Sequence, residues 1–430
     1  MTRRVLFISP HFPPDSSAAT HRVRLLAPHM AGHGWDPTVL TVDPADYEGA
    51  LDPALAASVP DSVRVIRARA WPASITRRLG IGDLGLRAYR GLKRSATTLL
   101  ERERFDAVFI TIYPTYPALL GPELKRRFGV AFVLDYQDPW VGEWGRSVGP
   151  TASGGPDLKS RLSRWIATRV EPIALAAADG VTAVSHATYE QALARTPAAR
   201  PRATGELPIG WDSRDLEFVT GCSRFTRDNL VHVSYVGTLL PTGVDTLRAL
   251  FTSLAAERER NVDVARLRLH FFGTSNQRCT DARPRVLPIA AEFGLSGVVT
   301  ELAPRLDYFD ALGVLQASHA ALLLGSHEHH YTPSKVFPAL AAERPVFAVM
   351  HEASNATELL RRVGRAPTVR LVTYGDDGAQ TRVSEIGAQL AALAAAPRYV
   401  PEVVDRTVLA PTSACALAGR LADVLERCVA

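Results

Sequence analysis

Residues 231–250 read VHVSYVGTLLPTGVDTLRAL, and their pattern decides the fold. The β-branched and aromatic run 231–236 suits a buried strand. Gly237 ends it and lets backbone approach a ligand closely. The helical segment that follows offers unpaired N–H groups and a positive dipole end, so this junction is the best phosphate site in the chain. The plainer use of a glycine after a strand is a simple turn.

Working outward, the same strand–loop–helix unit recurs. After 237 come RLRLHFF (266–272), HAALLL (319–324), PVFAV (345–349) and VRLVT (369–373). Before it come VLFIS (5–9), PTVLTV (37–42), VRVI (63–66), DAVFITI (106–112), AFVLD (131–135) and GVTAVS (180–185). Short apolar strands alternating with helix-length segments define parallel α/β sheets covered on both faces. Residues 196–230, rich in Pro, Arg, Thr and Asp and without period, read as a linker. Two doubly wound Rossmann-like domains facing across a cleft are predicted, over 1–215 and 216–411. The segment 412–430 forms a last helix that packs back on the first domain. Ser185 is predicted to cap the helix after the sixth strand. In such sheets ligands sit beyond the carboxyl ends of the strands.

The 430 residues are 47% hydrophobic and 22% charged, which excludes disordered, collagen-like and coiled-coil classes. No run approaches the roughly 20 uncharged apolar residues of a membrane span. The opening MTRR, followed directly by strand-like residues, is too short for a signal peptide. The four cysteines, Cys222, Cys279, Cys415 and Cys428, have no metal or disulfide spacing, which points to a reducing cytoplasm. Arginine supplies 45 of the 49 basic residues, a bias of GC-rich bacterial genomes rather than a function. The excess positive charge lies mostly in residues 64–104. Such a stripe can contact anionic lipid at the inner membrane face, although a solvated helical face is the plainer reading. No nucleic-acid module accompanies it.

Three further junctions carry chemistry. At 322–349, LLLGSHEHHYTPSKVFPALAAERPVFAV, Thr332, Pro333, Ser334 and Lys335 open a helix that can hold an anion. His327, Glu328, His329 and His330 have poor metal spacing, so hydrogen bonds to a sugar or phosphate suit them better. In LDYQDPWVGEW, Asp135 and Asp138 end a strand beside Trp140 and Trp144. Carboxylates there can orient hydroxyls and aromatic faces can stack on a sugar, unless Asp135 merely caps the strand and the tryptophans are core. After the first strand, Ser16, Ser17, Ala18 and Ala19 allow close backbone approach, and His21 follows on the helix. Nucleophile-elbow and Walker motifs are absent.

Together, SPHFPPDSSAATHRVRLLAPHMAGHGWDPTVLT, LDYQDPW, ADGVTAVS, YVGTLLPTGVDTL and TPSKVFPALAAERPVFAV resemble the retaining, GT-B-fold glycosyltransferases of family four, the glycogen-synthase-like group. The resemblance implies an acceptor domain followed by a nucleotide-sugar donor domain, with no tightly bound metal or other cofactor. It implies that Gly237, Thr238, Leu239, Phe272, Gly273 and the 332–336 segment, ending at Val336, face the donor. Ser16, Ser17, Ala18, His21 and Trp140 would face acceptor or sugar. Asp138 and His330 would hold the hexose, and Lys335 would stabilise the leaving diphosphate. Departures accompany the likeness. Thr238 and Thr242 stand where the family carries Arg and Lys. His330 and Pro338 replace both acids of its Glu-x7-Glu motif, leaving Glu358 as a replacement ribose carboxylate. Ser16 and Ser17 replace a glycine pair, and the histidine after the fourth strand is missing.

The resulting expectation is a retaining glycosyltransferase. It would move a sugar from a UDP-, GDP- or dTDP-linked donor to a small metabolite or a cell-envelope glycan, including a lipid-linked one. The alternative is a pseudo-glycosyltransferase, a catalytically silent nucleotide-binding protein on the same fold. A dinucleotide-dependent oxidoreductase lacks its glycine fingerprint after the first strand.

Overall fold

The computed structural model describes residues 2–141, 158–221, 224–225, 228–275, 282–326 and 335–430. The chain divides into two units, Met1–Gly210 with Ala414–Ala430, and Trp211–Ser413. Each is built around its own parallel sheet.

The first sheet holds β1 (Arg3–Ile8), β2 (Trp35–Val42), β3 (Arg64–Ala68), β4 (Ala107–Ile112), β5 (Ala131–Tyr136), β6 (Gly180–Ala183) and β7 (Ala203–Glu206). Their spatial order is β3-β2-β1-β4-β5-β6-β7. Alternate residues of β1 feed opposite cores: Leu6 and Ile8 join one, Val5 and Phe7 the other. Both faces are therefore apolar, and that is why the strand reads as a continuous hydrophobic run. The second core is closed by the helix Ala414–Val429, whose Leu417, Leu421 and Val424 lie against that face. Gly180 and Gly205 make this approach possible. A Cβ on Gly180 would sit 2.6 Å from the Cys428 sulfur, and one on Gly205 2.9 Å from Val424.

The second sheet holds β8 (Val231–Val236), β9 (Leu267–Phe272), β10 (Val299–Leu302), β11 (Ala320–Leu324), β12 (Val346–His351) and β13 (Val369–Tyr374). Its order is β10-β9-β8-β11-β12-β13, again parallel throughout. In both sheets the order reverses beside the first strand of the unit. The switch points lie between β1 and β4 and between β8 and β11, where ligands bind in open α/β sheets.

Two strands depart from the sequence reading. Within the segment read as a linker, 203–206 is β7, an edge strand on the first sheet. β10 (Val299–Leu302) has no strand pattern in the sequence. Both are four residues long and sit at a sheet edge, so they carry little of the apolar signal of a central strand. Ser185 occupies the N-cap position of the helix His186–Arg195, but its hydroxyl bonds the Thr188 hydroxyl (2.9 Å) rather than a backbone N–H. Much of the basic stripe is paired with carboxylates: Arg64 with Glu103, Arg69 with Asp46, Arg77 and Arg87 with Glu48, and Lys93 with Glu123. No helix among the described residues is long and apolar enough to cross a membrane. Cys415 and Cys428 are free thiols, and Cys222 and Cys279 lie outside the described residues.

Candidate functional site

In the second unit the sheet delivers β8 to a tight turn. Gly237 adopts φ +121°, a conformation strained for any side chain. A Cβ there would also fall 2.5 Å from Cε of Lys335. Lys335 reaches over the turn from the start of the helix Val336–Ala341. Its amine donates to the Tyr235 hydroxyl (2.5 Å) and the Thr238 carbonyl (2.6 Å), and lies 4.4 Å from the centre of the Tyr235 ring. None of its partners among the described residues is a carboxylate. Burial accordingly pushes its pKa down to about 7.

A second cation, unforeseen in the sequence, serves the same turn. Arg285 donates from Nη1 to the Leu239 carbonyl (2.9 Å). Its backbone is fixed by Glu301, at the end of β10, whose carboxylate accepts the N–H groups of Arg285, Val286 and Leu287 and the Thr274 hydroxyl. Lys335 and Arg285 thus grip consecutive carbonyls, those of Thr238 and Leu239. The Gly237 and Leu239 amides are committed to the carbonyls of Phe272 (2.8 Å) and Thr274 (3.0 Å). Thr238 N–H makes no hydrogen bond among the described residues, and so is the amide of this turn left for a ligand. A small cleft opens here, lined by Tyr235, Thr238, Leu239, Gly243, Gly325 and Ser326, at the switch point between β8 and β11.

Of the predicted donor residues, Gly237, Thr238, Leu239, Phe272, Gly273 and Lys335 therefore come together. Gly273 packs against the Gly237 turn. Val336 is buried and faces the core. Glu358 stands on the first turn of the helix Asn355–Val363 after β12, exposed and 3.8 Å from Arg362. His330, Thr332, Pro333 and Ser334, with Trp144 of the first unit, lie outside the described residues.

In the first unit the loop after β1 folds around Asp15. One carboxylate oxygen accepts from His11 Nδ1 (2.8 Å), Ser17 Oγ (2.5 Å) and Thr20 Oγ1 (2.8 Å). Burial opposes ionisation, but the hydrogen bonds and the charge of His11 hold the Asp15 carboxyl at about 2. The His11 ring stacks between Tyr47 (6.2 Å) and Tyr113 (5.9 Å). Its Nε2 has no hydrogen-bond partner among the described residues. Burial raises the Tyr113 phenol, and the charges of Asp138, Asp83 and Asp15 raise it further, so these acids share its surroundings. Asp138 is exposed at the rim, yet desolvation by its neighbours raises its carboxyl above the usual range.

The remaining predicted residues of this unit divide. Ala18 is exposed, Ser16 is buried and bonds the Ala50 carbonyl (3.0 Å), and Ser17 serves Asp15. His21 Nδ1 accepts from Arg24 (3.3 Å). Trp140 is buried and packs edge-on to Tyr116. Asp135 is a structural residue. It is fully buried, 2.9 Å from Arg22 Nε, and accepts from the Thr182 hydroxyl (2.8 Å). The sequence missed His11, Asp15 and Tyr113, although His11 and Asp15 lie in the quoted loop. No group of three metal-ligating side chains occurs among the described residues.

Two parallel-sheet α/β units with these strand orders have the GT-B fold of the solved glycosyltransferases that the chain resembles. Residues 17–204, most of the first unit, match the model of the glycosyl transferase 4-like domain. The solved structures it resembles include sucrose-phosphate synthase from Thermosynechococcus elongatus (16% identity, TM-score 0.57, 99% of this chain and 94% of that one). They also include HepE of Anabaena in complex with UDP-glucose (16%, 0.55, 99% and 96%). A third is a UDP-forming trehalose-phosphate synthase from Burkholderia vietnamiensis (12%, 0.57, 99% and 97%). No curated protein matches the sequence.

Proposed function

We propose that the chain transfers a sugar from a nucleotide-sugar donor, with the second unit gripping the donor's diphosphate at the Gly237 turn. The observation that carries this reading is the pair Lys335 and Arg285 on the carbonyls of Thr238 and Leu239. These two cations take the place of the Arg and Lys that the family carries in the turn itself, where this chain has Thr238 and Thr242. A diphosphate arriving at the free Thr238 amide would draw both cations from the carbonyls onto its oxygens. Charge grows on those oxygens as the anomeric C–O bond breaks, and cations fixed nearby stabilise that transition state more than the ground state. HepE, solved with UDP-glucose, supports a UDP-linked sugar as the first donor to try.

On the first unit, Asp138 and the His11–Asp15 pair would meet the acceptor, either a small metabolite or a cell-envelope glycan. Transfer with retention needs no side-chain base, because the leaving phosphate oxygen takes the acceptor proton. The His11 geometry favours a second reading. Asp15 fixes the ring through Nδ1 and leaves Nε2 to accept the hydroxyl proton, the logic of an oriented general base. The anomeric configuration of the product decides between the two.

The test is calorimetric titration of the purified chain with UDP-, GDP- and dTDP-sugars, followed by an acceptor panel with product analysis. Saturable binding of one donor, weakened about tenfold or more by Lys335→Ala, is expected. Binding of none removes the reading. Binding without transfer or donor hydrolysis leaves a silent nucleotide-binding protein.

A further inference from the structure

Between β3 and the helix Leu84–Arg102 the first unit carries a short helix, Ala73–Thr76, continued by the turn Arg77–Leu79. Its amphipathicity is inverted. The polar residue Thr76 is buried, whereas Ile75 and Leu79, one turn apart, are 58% and 69% exposed. Trp71, Ile81 and Leu86 add further exposed apolar surface in the same stretch. A soluble helix ordinarily turns such residues inward, and contiguous exposed apolar surface marks an interaction site.

The segment is pinned in this orientation. Buried Arg87 donates to the Trp71 carbonyl (2.9 Å), the Asp46 carbonyl (2.9 Å) and Glu48 (3.0 Å). Arg77 also bonds Glu48 (2.6 Å), and Ile81 N–H bonds the Thr76 carbonyl (2.9 Å). The Arg90 guanidinium lies 5.2 Å from the centre of the Trp71 ring. From 62 to 82 the chain has arginines at 64, 67, 69, 77 and 78 and no Asp or Glu. Arg64, Arg69 and Arg77 are neutralised by Glu103, Asp46 and Glu48. Arg67 and Arg78 make no ion pair among the described residues and are exposed.

We infer that residues 71–86 dock the first unit on an anionic phospholipid surface, with Ile75, Leu79 and Trp71 entering the headgroup–acyl boundary and Arg67 and Arg78 meeting lipid phosphates. An apolar face with an interfacial tryptophan and unpaired arginines fits that occupant on charge as well as polarity. A symmetric second copy would set the same arginines against each other. Asp83, within the segment, has a carboxyl that feels the charge of His11, so the docked face adjoins the loops assigned to the acceptor. The contact stands apart from the glycosyl-transfer reading and is tested without any sugar nucleotide.

The test is flotation of the purified full chain with vesicles of phosphatidylcholine alone, and with about one third phosphatidylglycerol. Co-flotation with the anionic vesicles is expected. It should fall at least about tenfold in Ile75→Ser/Leu79→Ser, and fall also in Arg78→Glu and in high salt. Both changes replace exposed side chains, and unchanged thermal unfolding confirms that the fold persists. Absence of flotation, equal flotation of wild type and variants, or equal binding to neutral vesicles overturns the inference. So does a wild-type oligomer that the Ile75→Ser/Leu79→Ser variant splits.

Discussion

Each unit holds a cation near the carboxyl ends of its sheet, and the two are treated differently. Arg22 is fully buried but faces Asp135 at 2.9 Å and donates to the Pro208 carbonyl. Lys335 is enclosed by Tyr235 and Thr238, with no carboxylate among its described partners. A buried cation with its counter-ion supplied is part of the framework. One left with neutral oxygens is poised for an anion from outside; burial lowers the pKa of both, and among the described residues only Arg22 has a carboxylate to offset it.

The largest break comes from removing the counter-ion on the framework side. Asp135→Asn leaves Arg22 buried and uncompensated, and urea denaturation should show a loss of about 3–5 kcal/mol. The corresponding change in the second unit, Lys335→Ala, should leave the fold intact. Donor binding should weaken about 10- to 100-fold, and Arg285→Ala should add to that loss, as titration with UDP-glucose would show. If Lys335→Ala destabilises the chain as Asp135→Asn does, the distinction collapses.

Asp15→Asn sharpens the comparison within the first unit. Its carboxyl is held near 2 against an ordinary 3.8. It therefore contributes about 2 kcal/mol at neutral pH, fully present above about pH 4 and lost as pH falls toward 2. Equilibrium denaturation from pH 2 to 7 checks this. The variant should bind donor as wild type does, while a transfer step served by His11 slows.

A pH profile tests the same contrast. Burial lowers Lys335 from 10.5 to about 7, so the unfolded chain keeps that proton over a range where the free folded chain has released it. Stability of the free protein should rise with pH between 7 and 10. Donor binding restores the proton, so affinity should run the other way and fall about tenfold per pH unit above 7. Lys335→Met should flatten both curves, and titrations from pH 6 to 9 with thermal unfolding would show it.

Much of the architecture was legible because central parallel strands are apolar on both faces, as β1, β4 and β11 are. The short edge strands β7 and β10 lack that signal. Lys335 was legible because a lysine opening a helix after a strand is a local pattern in a chain with only four lysines. Arg285 was not, since it reaches Leu239 across 46 residues of sequence. The stacking of His11 between Tyr47 and Tyr113 likewise depends on three separate loops. Asp135 and Asp138 looked alike in LDYQDPW, and burial alone separates a framework ion pair from an exposed rim acid.

The helix Ala414–Val429 closes the core of the first unit although it is the final helix of the chain. During synthesis, Val5 and Phe7 emerge some four hundred residues before Leu417 and Leu421 exist to cover them. The amino-terminal half therefore waits, with that flank of its sheet covered only in part by Val23, Leu26 and Met30, while the other half is made. Ribosome-bound intermediates stalled before residue 414 should be the species most in need of a chaperone.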